Sequence, residues 1–292
     1  MDREAMHETT ARDHRERILR VLQYMDEHVA EDLSLERLAA VAHLSRYHFH
    51  RVFKTFTGVT AAAYVRRRRL LLAAARLADT DDGVLDVALD SGFGSHEAFT
   101  RAFGTMFGLT PSAWRAQGAT APYLAPVLDL QPTTQGGTAM DMDVRNVEAM
   151  RVACVRHVGP YINCEPAWEM LCAWGIRAGV FGPDTVFLGI AWDDPESTPP
   201  EAIRYDACCT IPDHVEPGEG VDVRRVGGGP HATCTQIGPF QGLEETYRGL
   251  YAAVLDRGLS LAEAPCFEIY RTDPKTTPPE KLVTELYLPL ER

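Results

Sequence analysis

Two groups of residues in this sequence could do chemistry. The first is a basic line, Arg46, His50 and Lys54, spaced i, i+4, i+8, with Tyr47 and Arg51 beside it. On a helix such residues share one side. Arginine's fork suits the edge of guanine, while lysine and tyrosine suit phosphates and thymine methyls. A solvated charged face is the plain alternative, but no acidic residue interrupts the stretch from Ser45 to Thr57. The second group centres on Glu268 in the run CFEIY. Strand alternation puts Cys266 and Tyr270 on the acid's side and Phe267 and Ile269 on the other. An acid in this otherwise apolar and aromatic run suggests a role beyond the sheet scaffold. A carboxylate on a solvent-facing strand is the alternative here.

Two internal repeats supply the elements that must position these groups. The first has a period of 50 residues: SRYHFHRVFKTFTGVTAAAY from Ser45 returns as SHEAFTRAFGTMFGLTPSAW from Ser95. Phe49, Val52, Phe53 and Phe56 fall at i, i+3, i+4, i+7, as do Phe99, Ala102, Phe103 and Met106, which predicts two amphipathic helices. Each follows a shorter helical stretch and a tight turn, LSLERLAAVAHLS and VLDVALDSGFGS, which is the helix-turn-helix plan. The segment TAAAYVRRRRLLLAAARLAD between the units reads as a rigid helix. Within it Arg66–Arg69 point all around the axis, which suits ion pairing inside the domain better than a nucleic-acid contact. The second unit offers His96, Thr100 and Arg101, but also Glu97, with Gly104 where the first unit has Lys54, and should therefore contribute less affinity. Residues 116–140, dense in Pro, Gly, Gln and Thr, read as a linker.

The second repeat has a period of 79 residues. VGPY at 158–161 returns as IGPF at 237–240, and DDPESTPPE from Asp193 as TDPKTTPPE from Thr272. Each unit reads strand, helix, strand, strand, with strands at 150–158, 186–192, 203–211, 230–238, 265–271 and 282–288 and helices at 164–178 and 242–257. Two such β-α-β-β units should form a curved antiparallel sheet with both helices on one face and a groove on the other. Glu268 is matched by Gly189 in the first unit, so the acid belongs to one copy only. Trp174 is expected to pack away from the stripe Trp168, Leu171, Cys172, Gly175.

The net charge of −12 seems to oppose nucleic acid, yet residues 1–120 balance and the whole excess lies after them. No apolar run is long enough for a membrane helix and the charged N-terminus lacks a signal sequence, so a cytoplasmic protein is expected. The seven cysteines include no CxxC pair and read as reduced, packed thiols, with a metal site or a thiol sensor as the alternative; no metal or cofactor is expected.

From residue 18 to 117 the sequence resembles the DNA-binding domain of AraC/XylS regulators, in both units, the RRRRL helix and the signature running from Gly92 to Arg115. The resemblance implies base contacts from Tyr47, His50 and Arg51, and from His96, Thr100 and Arg101. Residues 141–292 resemble the GyrI-like effector domain, through the VGPY and IGPF turns, the TPPE segments and CFEIY. That resemblance implies a site for small aromatic or cationic molecules with Glu268 as the acid and Trp168, Trp192, Tyr205, Phe240 and Tyr270 as candidate walls. The expected organisation is an N-terminal tail (1–17), an all-α double helix-turn-helix domain (18–117), a linker (118–140) and an α+β domain (141–292). The expected function is a non-enzymatic regulator joining double-stranded DNA to a small-molecule effector, with RNA polymerase a further candidate partner and a monomer or weak dimer as its state. The alternatives are hydrolysis of small electrophiles in the C-terminal domain, and ligand sequestration without regulation.

Overall fold

The computed structural model describes residues 3–118, 140–193, 195 and 198–292. Seven helices form the N-terminal part: α1 (Arg3–Glu27), α2 (Leu35–Ala42), α3 (Arg46–Thr57), α4 (Ala61–Asp79), α5 (Val84–Asp90), α6 (His96–Phe107) and α7 (Pro111–Ala116). Side-chain caps start four of them: Ser34, Thr60, Ser95 and Thr110 each accept from a backbone N–H in the first turn. Gly58 and Gly108 close α3 and α6 in the left-handed conformation, at φ 73° and 72°, where a side chain would be strained. The expected tail over 1–17 is instead helical from Arg3 onward, as part of α1, whose described side chains bury His14 and Ile18. The expected linker falls almost wholly outside the described residues.

The C-terminal part holds β1 (Asp143–Val147), β2 (Met150–Val158), α8 (Glu165–Ala178), β3 (Phe187–Ala191), β4 (Arg204–Thr210), β5 (Asp222–Val226), β6 (Gly229–Ile237), α9 (Leu243–Asp256), β7 (Cys266–Tyr270) and β8 (Val283–Pro289). The strands form one antiparallel sheet in the order β1-β6-β8-β7-β3-β4-β2-β5. The two β-α-β-β units are present, each with an additional first strand. These strands, β1 and β5, are exchanged: β1 pairs with β6 of the second unit and β5 with β2 of the first. They match at the 79-residue shift as DVRNV and DVRRV, and they lie at the two edges, where charged residues discourage further pairing.

The two units meet at β3 and β7, where Gly189 pairs with Glu268. Repeat-equivalent residues facing each other place the pseudo-twofold axis between them. One face of the sheet carries both helices. The other is no open groove. Val152, Leu188, Ile190, Phe267, Ile269 and Tyr287 form one buried cluster that also includes Val226 of β5, with Val147 of β1 packed against it. Residues from opposite edges join because the sheet's curvature folds that face onto itself.

Two hydrophobic clusters divide the helical part. The second helix-turn-helix unit has its own core, with Leu70, Leu77, Val87, Phe99, Phe103 and Trp114. The first unit does not. Ile18, Val21, Phe49, Val52 and Phe53 share a single cluster with Tyr247, Leu250, Tyr251 and Leu255 of α9. Trp174 packs as expected, but on the stripe rather than off it. Ala167, Leu171, Trp174 and Gly175 are the buried residues of α8, and Trp168 and Cys172 are only half-buried.

Candidate functional site

Glu268 lies on the helix-bearing face, on the pseudo-twofold axis between α8 and α9. Its side chain is buried and accepts a hydrogen bond from the Tyr270 hydroxyl at 2.7 Å, and that hydroxyl lies 2.9 Å from the Tyr205 hydroxyl. Burial pushes the Glu268 carboxyl above its ordinary range, against the opposing pull of the Tyr270 hydrogen bond and the nearby Arg51 charge. Burial and the neighbouring carboxylate also push the Tyr205 and Tyr270 phenols well above 10. Gly189 makes the tyrosine pair possible: a Cβ there would come within 2.4 Å of the Tyr205 hydroxyl and 2.5 Å of the Tyr270 hydroxyl. The acid in one repeat and the glycine in the other are thus two halves of one site.

Aromatic rings surround this centre. Trp168 of α8 meets Tyr270 edge-on at 5.7 Å and lies 6.4 Å from Tyr205, and Tyr161 lies 5.7 Å from Tyr205. Phe240, at the rim and 40% exposed, meets Tyr270 edge-on at 5.7 Å. Trp168, Tyr205, Phe240 and Tyr270 are therefore brought together as expected. Trp192 is not. It lies on the opposite face, where its indole N–H donates to Asp206 at 2.8 Å and the Arg156 and Arg224 guanidinium carbons lie 5.2 and 5.3 Å from its ring. Strand parity is the reason: Gly189 and Ala191 face the site, so the next residue turns away.

Tyr161, Tyr247 and Tyr251 were missed, although the repeat marks two of them. Tyr161 is the counterpart of Phe240, and Tyr247 that of Trp168, each 79 residues apart. Tyr247 and Tyr251 lie on α9, and above them sits a side chain from the helical domain. The Arg51 guanidinium carbon is 4.1 Å from the Tyr247 ring centre and 5.6 Å from that of Tyr251, with Nη1 3.8 Å from the Cys266 sulfur. Beside it, His48 Nε2 lies 2.8 Å from the Ala262 carbonyl oxygen and Nδ1 2.6 Å from the Tyr251 hydroxyl. A carbonyl only accepts, so Nε2 carries the proton and Nδ1 accepts from tyrosine. Burial holds the His48 pKa down at about 4, which keeps the ring neutral.

The expected nucleic-acid residues separate accordingly. Arg46 is exposed on α3, near enough to help hold the Asp193 carboxyl below its usual range; burial opposes this shift and the Arg204 hydrogen bonds lead it. Lys54 pairs with Glu244 of α9 at 3.2 Å. His50 is buried on the far side of α3, lining a groove of about 370 Å³ with Leu35, Ala61 and Arg66 of the first unit and Phe93 of the second. It is not part of the outward line, because it flanks the apolar stripe of Phe49 and Phe53. The Tyr47 side chain lies outside the described residues. On α6, His96 and Arg101 are exposed and Thr100 half-buried. Glu97 keeps its carboxyl low through hydrogen bonds with its own backbone N–H and with Ser95, which makes it part of the helix cap. Of the arginine run, Arg68 pairs with Asp26 at 2.7 Å, while Arg69 donates to the Val29 and Glu31 carbonyls and lies over Gly92 of the second unit. Arg66 and Arg67 face solvent. All seven cysteines are free, and no cluster of three or more candidate metal ligands occurs among the described residues. No helix among them is long and apolar enough to cross a membrane.

The two regions define a class: a helix-turn-helix DNA-binding module joined to a small-molecule-binding domain. The chain belongs to the GyrI-like family, whose small-molecule-binding domain matches residues 140–291, and residues 38–117 match a helix-turn-helix domain. The helical part is of AraC type. It is 36% identical over 102 residues to the regulatory protein SoxS of Salmonella typhimurium, a match covering 35% of this chain and 95% of SoxS. It is 40% identical over 98 residues to the uncharacterized HTH-type transcriptional regulator YbfP of Bacillus subtilis, covering 34% of this chain and 33% of YbfP. The match therefore spans about a third of YbfP's length. A hydrolase of Listeria innocua is similar with a TM-score of 0.41 and 19% identity, over 54% of this chain and 94% of its own.

Proposed function

We propose that this protein is a one-component transcription regulator whose C-terminal domain captures an aromatic cation at Glu268, and whose two recognition helices read an asymmetric DNA site. The observation that carries the ligand class is a single buried carboxylate on the pseudo-twofold axis, walled by Trp168, Tyr205, Phe240 and Tyr270. The same arrangement disfavours an anion by charge, and favours an aromatic cation over a plain one through the ring faces. In this reading two helix-turn-helix units in one chain serve a single site without a second copy, RNA polymerase is a further partner, and the regulator works in the cytoplasm.

Nucleophilic hydrolysis by the tyrosines is disfavoured at this site. Phenols held well above 10 supply no nucleophilic phenolate near neutral pH.

The test is titration calorimetry with tetraphenylphosphonium and its neutral analogue triphenylphosphine oxide. The cation binds at least tenfold tighter, and Glu268→Gln weakens it by roughly a hundredfold, in line with about 3 kcal/mol for an uncompensated buried charge. Cation binding strengthens as pH rises through the raised Glu268 titration. Equal affinity for both probes, or an unchanged Glu268→Gln variant, would sink the ligand reading. Selection from random DNA that enriches no motif would sink the regulatory one.

A further inference from the structure

Two of the side chains that α3 would offer to DNA, Arg51 and Lys54, are turned onto the effector domain. Arg51 stacks on Tyr247 and reaches Cys266, two residues along the strand from Glu268. His48 is buried against Tyr251 and Ala262, and Lys54 is paired with Glu244. The contact is complementary in charge, since α3 has no acidic residue while α9 begins with Glu244 and Glu245 in its first turn. It is also continuous with the core of the first unit, through Phe49 and Val52 on one side and Leu250 and Tyr251 on the other. Arg51 itself does what an aromatic-cation ligand would do: it lays a planar cation on a tyrosine face beside a buried acid.

We propose that α3 is the lid of the effector site and Arg51 its resident cation, so that the first unit reads DNA only when α3 is expelled. The half of this proposal that concerns expulsion by an effector rests on the cation reading of Glu268; the docking itself does not. One guanidinium cannot stack on Tyr247 and also reach a guanine edge, so docking and base reading by α3 exclude each other. A cation that takes the place of Arg51 then raises DNA affinity. By linkage, DNA raises the affinity for that cation by the same factor. The second unit escapes this control, because Arg101, the counterpart of Arg51, is exposed on α6.

The experiment alters α9 alone. In the full chain, Glu244→Arg reverses the charge facing Lys54, and Tyr251→Phe removes the hydroxyl that bonds His48; neither residue belongs to the DNA-reading helices. Two readouts serve. One is affinity for a duplex enriched by the protein from a random pool. The other is acetylation of Lys54, which has only Lys275 and Lys281 as companions and internal standards. The double variant is expected to bind DNA about tenfold tighter and to acetylate Lys54 several times faster, with the standards unchanged; that tenfold is about 1.4 kcal/mol. Glu244→Arg alone, at a surface residue, shifts both in the same direction by less. Tetraphenylphosphonium does the same to the parent protein, and DNA tightens its binding in return. Equal Lys54 reactivity and DNA affinity in parent and variants would overturn the docked state. Cation binding at Glu268 that moves neither readout would overturn the lid. An opened double variant in a protein that ignores the cation would leave the lid standing and remove only the cation reading.

Discussion

In α3 and in α6 a threonine hydroxyl donates back to the carbonyl four residues earlier, Thr55 to Arg51 at 2.7 Å and Thr105 to Arg101 at 2.9 Å. Both helices begin at a serine and end at a left-handed glycine. Yet Thr55 is 2% exposed while Thr105 faces solvent, and Arg51 lies over a tyrosine while Arg101 is open to solvent. Even the caps differ: Ser95 accepts from Ala98 N–H, whereas Ser45 makes no such bond and its hydroxyl is buried without a hydrogen-bond partner. Helices of one design are in two states because only α3 is also covered by the effector domain. The contrast isolates what the effector domain does to a recognition helix.

The sharpest way to break the comparison is to remove the matched core phenylalanines, both fully buried. Phe49→Ala and Phe99→Ala should each cost about 3–5 kcal/mol, measured by urea unfolding. Their reach should differ. Phe49 belongs to the cluster that runs into α9, and Phe99 to the separate core of the second unit. Hydrogen exchange should therefore show α9 losing protection in Phe49→Ala and keeping it in Phe99→Ala. Loss of α9 protection in both variants would mean that the two units share one cooperative core after all.

Much of this could be read in the sequence, and what could not has physical causes. Periodicity located α3, α6, α8, α9 and six of the eight strands to within a few residues, because each carries a strong apolar pattern. Strands β1 and β5 carry none: Asp143, Arg145, Asp222 and Arg225 are exposed edge residues, and only the repeated DVR marks them. Four of the six expected ligand-site residues flank or support Glu268 as read, Glu268 is the fifth, and Trp192 fell to strand parity. The docking of α3 was illegible for a different reason. A helix with one neighbour buries one stripe, but α3 has two, so residues such as His48 and Arg51 look like solvated polar surface while lying against another domain. No local pattern encodes a contact made across two hundred residues of chain.

A second perturbation uses His48, a titratable ring of α3 with no titratable counterpart in α6. His48 is neutral, its pKa held down at about 4 by burial and by the charge of Arg51, against hydrogen bonds to the Ala262 and Ala264 backbone; its counterpart Ala98 cannot titrate. The groups facing it are Tyr251 of α9 and Cys266 of β7, both pushed up by burial, and Arg51 on its own helix. Because the folded value lies below the ordinary 6.5, the stability His48 contributes is present above pH 6.5 and lost as pH falls toward 4. Glu268 works in the opposite sense: its raised carboxyl contributes at low pH and loses that contribution as pH rises. Comparing the parent with His48→Gln at each pH cancels the Glu268 term. The parent should be the more stable at pH 7, and the gap should shrink by about 3 kcal/mol on acidification to below pH 4. A gap that does not change with pH would place His48 in water rather than under α9.

The smallest effect concerns the outermost contact of the same interface. The Lys54–Glu244 pair, 3.2 Å apart with the glutamate 63% exposed, is worth about 0.2–1 kcal/mol as a surface ion pair. Glu244→Gln should therefore raise Lys54 acetylation by no more than about fivefold at low salt. At 1 M salt the Debye length is about 3 Å, the pair is screened in the parent as well, and the two proteins should acetylate alike. Arg51 over Tyr247 is less accessible to ions, so the docked state itself should persist at that salt, with Lys54 still slower than Lys275 and Lys281. If salt alone brings Lys54 to the rate of those two lysines, the interface is held by surface charge, and α3 is in the same position as α6 under ionic conditions that screen it. If it does not, the aromatic seat of Arg51 and the buried His48 hold the helix, and the charges at its edge serve only to orient it.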